Sequence, residues 1–373
     1  MKQTGTIKWV RLGDYITQRR EKNDSYGLPI RGVTRDGFIP PKQEGADTSL
    51  YNVFYRNDFV FNPARMELNS IYLNLEFDKA ICSSLYEIFF VNKPDVLLPE
   101  YLNLIIKREE FARYCWYDAL GSARNYFRVA NMQDLTIPLP PIEVQQELVD
   151  TYNGLKSLAE QNEALIEPLS KACEAFIVDC QTKYPKVKLS DGKVDFIELC
   201  DERNGDGLYT LDDVRGISIQ KNLIPTKADM KDVSLAPYKQ IKPREFSYVT
   251  VTSRNGGKIS LAMNNTDCTY IVSSSYITFR CKDTTKLMPE YLYLLLSRTE
   301  FDRYSRFNSW GSARETFDWS EMCRVEIPLP PIEVQQSIIN VYHCLKEAKS
   351  IAAQAREKLK TLCPALVQKA SNI

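Results

Sequence analysis

Ile137-Pro138-Leu139-Pro140-Pro141-Ile142-Glu143-Val144-Gln145-Gln146 recurs without a change at Ile327 to Gln336. Working outward from that decapeptide with a shift of 190 residues, Pro99 to Lys156 aligns without a gap on Pro289 to Lys346, with 29 identities in 58 positions. Such a match identifies an internal duplication. Upstream it thins but persists: Arg31-Gly32-Val33 pairs with Arg215-Gly216-Ile217, Ile39-Pro40 with Ile224-Pro225, and Ile81-Cys82-Ser83-Ser84 with Ile271-Val272-Ser273-Ser274. Each unit therefore has a constant C-terminal half behind a divergent N-terminal half. Drift after duplication would spread the differences more evenly, so the pattern favours one frame carrying two different faces.

The divergent parts, roughly 9–98 and 196–288, read as short strands and turns. Phe59-Val60-Phe61 follows the turn-like Arg56-Asn57-Asp58, and Ser273 to Phe279 is rich in β-forming residues. Asn204-Gly205-Asp206-Gly207 and Asn255-Gly256-Gly257 are turn signals. Pro99-Glu100-Tyr101 and Pro289-Glu290-Tyr291 each open a helix with proline at its first position.

After Pro-Leu-Pro-Pro the period changes. Leu148, Tyr152, Leu155, Ala159, Asn162, Ile166, Leu169, Cys173, Phe176 and Cys180 follow four-and-three spacing, the seam of a coiled coil with Asn162 as a polar register-setter. The second copy offers Ile338, Val341, Leu345, Ala348, Ala352, Ala355, Leu359, Leu362 and Leu366. Pro168 predicts a bend in the first helix. Residues 141–182 carry two Lys/Arg against eight Asp/Glu, and residues 331–373 carry six against three, so attraction favours packing the two helices together. Antiparallel packing would relate the units by a pseudo-twofold axis, and helices of this length span about 60 Å at ~1.5 Å per residue. The expected fold class is α+β: mixed α/β domains at 1–140 and 183–330, with long helices at 141–182 and 331–373.

With 373 residues, 44% hydrophobic and 26% charged, the chain has the composition of a soluble globular protein of two or three domains. No apolar run reaches the ~18 residues of a membrane span, and Met1 to Gly5 does not open a signal peptide. Ten cysteines without a CxxC pair suggest neither zinc nor a disulfide framework, and a cytoplasmic setting is expected. The net charge is zero, low for a protein that binds nucleic acid, although residues 1–40 hold eight Lys/Arg against four Asp/Glu.

This organisation resembles the specificity subunits of type I restriction-modification systems. The residues that carry the resemblance are the duplicated decapeptide, the tetrads Gly121-Ser122-Ala123-Arg124 and Gly311-Ser312-Ala313-Arg314, and Arg56 to Asn62. It covers nearly the whole chain. It implies two target-recognition domains that read the halves of a split sequence in double-stranded DNA. It also implies conserved helices that dock two methyltransferase subunits, which a restriction/translocase subunit joins. S-adenosylmethionine, ATP and Mg would then belong to those partners, with no cofactor in this chain.

Arg124 and Arg314 occupy matched positions, where a guanidinium would hold phosphate and position the duplex without reading it. Bracing of the domain by an arginine–carboxylate pair is the competing reading. Positions that differ between copies suit base readout: Asn62, Arg65 and Asn69 after one strand, and Ser253, Arg254 and Asn255 in the counterpart. Arginine pairs naturally with guanine and asparagine with adenine in the major groove; a solvated loop is the plain alternative. Arg35, Lys42 and Lys258 are further candidates for phosphate contacts.

Catalysis finds little support. The only histidine, His343, lies in the second long helix, and no G-x-G-x-x-G or P-loop is present. Asn62-Pro63-Ala64-Arg65 lacks the second proline and the aromatic of an adenine-methyltransferase motif. Asp201 to Asp213 does not follow a calcium-loop pattern. The expected role is non-catalytic, and the alternative is a scaffold whose duplicated domains bind proteins.

Overall fold

The computed structural model describes residues 8–41, 47–119, 126–226, 228–231, 233–253, 257–311 and 314–371, without the side chains of 118, 119 and 361–371. The chain divides into two compact units, 1–163 with 350–373 and 164–349. The cuts fall inside the long helices, so each helix contributes to both units.

The first unit runs β1 (Lys8–Arg11), β2 (Ile16–Arg19), β3 (Gly32–Val33), β4 (Phe38–Ile39), β5 (Asn52–Tyr55), β6 (Asp58–Phe61), β7 (Ile71–Leu73), β8 (Lys79–Cys82) and β9 (Glu87–Val91). Helices α1 (Pro99–Ile106), α2 (Glu109–Ala119) and α3 (Val129–Asp134) follow, then β10 (Thr136–Leu139) and the long α4 (Ile142–Lys183). Its main sheet has the order β2-β9-β6-β7, and β1-β10, β3-β4 and β5-β8 form antiparallel pairs beside it. Central β6 is buried along its length. Alternation sends Phe59 and Phe61 into the main core with the helices, and Val60 into a smaller cluster with Phe54, Ala80, Cys82 and Ile88.

In the second unit come β11 (Lys186–Lys188), β12 (Ile197–Cys200), β13 (Arg215–Ile217), β14 (Leu223–Pro225), β15 (Lys239–Ile241), β16 (Phe246–Tyr248), β17 (Leu261–Met263), β18 (Tyr270–Val272) and β19 (Ile277–Cys281). Then follow α5 (Pro289–Leu296), α6 (Thr299–Phe307), α7 (Trp319–Arg324), β20 (Glu326–Pro328) and α8 (Ile332–Ser371). The sheet order β12-β19-β16-β17 and the pairs β11-β20, β13-β14 and β15-β18 repeat the first unit strand for strand. Ser273 to Tyr276, expected to belong to a strand, instead form the turn before β19, closed by the Tyr276 amide on the Ser273 carbonyl.

The frame survives where the sequences diverge because its supports recur. Asn57 and Arg244 both take the left-handed conformation, with φ of 67° each, to turn the chain into β6 and β16. Both donate their backbone N–H to the carbonyl of a fully buried asparagine, Asn74 or Asn264. The amide of Asn74 donates to the carbonyls of Tyr55 and Phe77, and that of Asn264 to Ile241 and Cys268. Phe59 stacks on Phe89 at 4.8 Å, and Phe246 on Phe279 at 4.8 Å.

The duplicated decapeptide is the joint between domain and helix. Gln145 is fully buried: its amide nitrogen donates to the Val96 and Pro140 carbonyls, and its oxygen accepts from the Leu98 amide. Gln335 repeats this with Lys286, Pro330 and Met288. Tyr101 and Tyr291 donate their hydroxyls to the carbonyls of Pro138 and Pro328.

Helix α4 continues through Pro168. In the first unit Arg356 of α8 forms a two-pronged ion pair with Glu163, at 2.7 and 2.8 Å, which holds that carboxyl below its ordinary range. In the second unit Cys173 lies in the field of Lys349 and Cys344. Leu148, Ala159, Cys173, Cys180, Ile338, Leu345, Ala348, Ala352 and Ala355 are buried. Two seam residues depart from expectation. Phe176 is 46% exposed while Ile177 is buried, because Ile177 and Cys180 turn toward the domain's own core. Asn162 donates its amide to the Leu158 carbonyl in its own helix, so it makes no register-setting bond across the seam through that group.

Candidate nucleic-acid interface

In each unit one edge is built from the segment after the central strand, bonded to the chain that follows the second helix, and from the tip of the small hairpin, held by a lysine.

In the second unit the segment after β16 is stitched to the loop after α6. Thr252 donates its amide to the Glu315 carbonyl at 3.0 Å and its hydroxyl to Ser309 at 2.8 Å, while the Phe317 amide donates to the Thr250 carbonyl at 2.8 Å. Trp310 and Thr316 exchange backbone bonds and close the loop that carries the tetrad. Gly311 has φ of 137°, and a Cβ there would run into the Arg314 carbonyl oxygen, so the turn requires glycine. The hairpin tip is pinned by Lys221, whose ammonium donates to the Ile259 carbonyl and the Asp302 carboxylate.

The first unit repeats the arrangement. The Phe127 amide donates to the Pro63 carbonyl at 3.0 Å, joining the segment after β6 to the chain that follows α2. The hairpin tip is held by Lys107 at the C-terminal end of α1, which donates to the carbonyls of Ile71 and Arg35 and lies 4.8 Å over the Tyr72 ring. Burial pulls the Lys107 ammonium down to about 8. Its proton is therefore bound more weakly in the folded chain than in the unfolded one. Below pH 8 both states hold it and the folded state carries the full penalty; between about 8 and the ordinary lysine value of 10.5 the unfolded state binds more protons, and stability rises with pH. Urea midpoints should thus rise from pH 7 to pH 9.5 by an amount that Lys107→Met removes. An unchanged increment in that variant would assign the pH effect to other groups.

The sequence-derived candidates distribute unevenly over this edge. Arg35, Arg65, Ser253, Lys258 and Arg314 are exposed. Arg65, Lys258 and Arg314 form no ion pair with a described residue, and Arg306 takes Glu315, the carboxylate beside Arg314. Asn62 is half-buried, and its oxygen accepts from the Ala64 amide to shape the turn. Asn69 is a correction. It sits 2% exposed in the left-handed region, with its amide donating to the Ile106 carbonyl, and so serves the interior rather than a ligand. Lys42, Arg124, Arg254 and Asn255 lie outside the described residues. Trp116, Tyr117, Phe307 and Trp310, not singled out from the sequence, stand exposed near the C-terminal ends of α2 and α6. The signal was present, since the gap-free alignment sets Tyr117 on Phe307. Among the described residues no group of three or more His, Cys, Asp or Glu is placed to hold a metal, and no helix is long and apolar enough to cross a membrane.

A family model described as the type I restriction modification DNA specificity domain matches residues 192–361. That stretch takes in most of the second unit and much of α8, a little under half of the chain. The resemblance to specificity subunits read from the sequence stands, and the matched strand order of the first unit gives it the same architecture as the specificity domain. The crystal structure of a type I restriction-modification system S subunit from M. genitalium is similar in fold, with a TM-score of 0.57 and 13% identity over 99% of this chain and 98% of that one. The HsdS subunit from Thermoanaerobacter tengcongensis has a TM-score of 0.42 and 18% identity, covering 99% and 97%. A search of curated proteins found no match.

Proposed function

We propose that the chain is the sequence-reading subunit of a type I restriction-modification enzyme, in which each unit reads one half of a split target in double-stranded DNA. The observation that carries this is an exposed polar and cationic edge, built twice on one frame but with different side chains: Arg35 and Arg65 in one copy, Ser253 and Lys258 in the other, beside Arg314 of the shared tetrad. A shared frame fixes how each domain meets a duplex, and the differing side chains select the sequence. Catalysis belongs to partners. Two methyltransferase subunits dock on the long helices, restriction/translocase subunits join them, and S-adenosylmethionine, ATP and Mg are used there. The assembly works in the cytoplasm.

Titrating the full chain, alone and with its methyltransferase subunits, against a random-sequence duplex pool at several salt concentrations tests this. Binding should weaken with salt and strengthen with the partners present. Arg314→Ala and Lys258→Ala should each lower the salt slope by about one unit without moving the melting temperature. Absence of salt-dependent binding in both settings would instead support the protein-binding scaffold. A lowered melting temperature in Arg314→Ala with unchanged affinity would assign that arginine to bracing.

A further inference from the structure

The exposed aromatics at the ends of α2 and α6 have no part in either core. Tyr117 is 73% exposed and Phe307 80% exposed, and they occupy the same position of the repeat. Each has an exposed companion, Trp116 at 56% in the first unit and Trp310 at 64% in the second. Single exposed apolar side chains are ordinary on protein surfaces. Two rings per unit, at or just past the end of the helix that precedes the tetrad in both copies, are a repeated feature.

Their neighbours bear on the occupant. In the second unit the loop bearing Trp310 also carries Arg314, and the segment stitched to it carries Lys258, both exposed and without an ion-pair partner among the described residues. Asp302, one turn and a half before Phe307 in α6, is occupied by Lys221 and by the Ile259 amide, so it does not neutralise those cations. In the first unit the segment bonded to the chain after α2 carries exposed Arg65. Rings at helix ends, followed or joined by segments that carry unpaired cations, suit a ligand that offers flat apolar faces between negative charges. That is the surface of a nucleic acid, where bases alternate with phosphates.

We infer that Tyr117 and Phe307 are DNA-contacting residues that lodge their rings against, or partly between, base pairs at the edge of each half-site. The inference rests on the DNA-reading function proposed above and adds a contact of a different kind. An apolar wedge unstacks a base step and favours sequences that deform at low cost, so it selects by deformability rather than by hydrogen bonding. The matched placement gives both half-sites the same kind of contact although their hydrogen-bonding residues differ.

The test uses the full chain with its methyltransferase subunits, the random-sequence duplex pool, and the variants Tyr117→Ala, Phe307→Ala, Tyr117→Phe and Phe307→Tyr. Each alanine variant should lose roughly tenfold in affinity, the scale of one base–aromatic stacking contact. The salt slope should stay that of the parent, because removing a ring releases no counterion. The ring-preserving exchanges should bind as the parent does, and melting temperatures should not move. Wild-type binding with undiminished affinity in both alanine variants would overturn the wedge while leaving the DNA-reading function in place. Failure of the wild type to bind duplex DNA would remove the function itself. Unchanged DNA affinity with loss of methyltransferase assembly would overturn the wedge and assign these rings to a protein contact.

Discussion

Replacing residues 1–136 with the equivalent region of another specificity subunit is expected to change one half of the methylated sequence and leave the other half as it was. The structure gives a reason for such an exchange to fold. Across the junction, Gln145 binds the Val96 and Pro140 carbonyls and the Leu98 amide, and Tyr101 binds the Pro138 carbonyl. Strand β1 meets β10 through an antiparallel backbone ladder, Val10 opposite Ile137. Contacts to backbone groups tolerate a new side-chain set as long as the chain follows the same course, and the two units of this protein already follow one course with different sequences. The half-site spacing should survive with the untouched helices, whereas insertions within 148–180 should change the spacing and preserve both half-sites. Methylome sequencing of strains carrying each version reads the result. An exchange that altered both half-sites together would mean that the domains build one composite reading surface.

Removing the clamp at the joint should have the largest effect on stability. Gln145→Leu leaves two carbonyls and one amide without their partner in a buried setting, at ~1–3 kcal/mol for each orphaned group. Even the lower end of that range amounts to about 3 kcal/mol, which lowers the melting temperature by roughly 10 °C in a domain of this size. Gln335→Leu should cost the same, since its three partners are equivalent. Gln145→Glu should be no better, because a carboxylate can accept from Leu98 but has nothing to donate to Val96 and Pro140. The neighbouring Gln146 is exposed and bonds only Asp150 four residues on, so Gln146→Leu should be close to neutral. Equal losses at 145 and 146 would show that the buried bonds are not what holds the joint.

These contrasts show what the sequence makes legible and what it does not. The duplication, the proline-opened helices α1 and α5 and the long helices all leave periodic or repeated signals. The decapeptide was visible as a repeat, but the division of labour between its two glutamines was not, because burial depends on the Val96 and Leu98 backbone nearly fifty residues away. The same reason misplaced Phe176 and Ile177. Both fit a seven-residue repeat, and only the domain core decides which of them turns inward. Asn69 looked like a loop residue because it lies in a polar stretch, yet its left-handed backbone and its bond to Ile106 make it part of the interior. At the candidate interface, exposed Arg65, Lys258 and Arg314 could be named from residue type and position. The exposed aromatics were missed because ring and burial usually go together, and only the structure separates them here.

The first unit is assembled from both ends of the chain, residues 1–163 and 350–373, and this has a consequence for its synthesis. When Glu163 leaves the ribosome, its partner Arg356 has yet to be made. All of residues 164–349 must be translated first, which takes on the order of 10–40 s at ~5–20 residues per second. For that interval the inner face of α4 around Leu155 and Ala159 lacks the helix that covers it, while the sheet and helices of residues 8–139 can already close on themselves. Ribosomes following one another on a message would present such faces at high local concentration. With eight Asp/Glu against two Lys/Arg, residues 141–182 repel their own copies during the wait. The later-made, basic 331–373 then finds an acidic partner already in place.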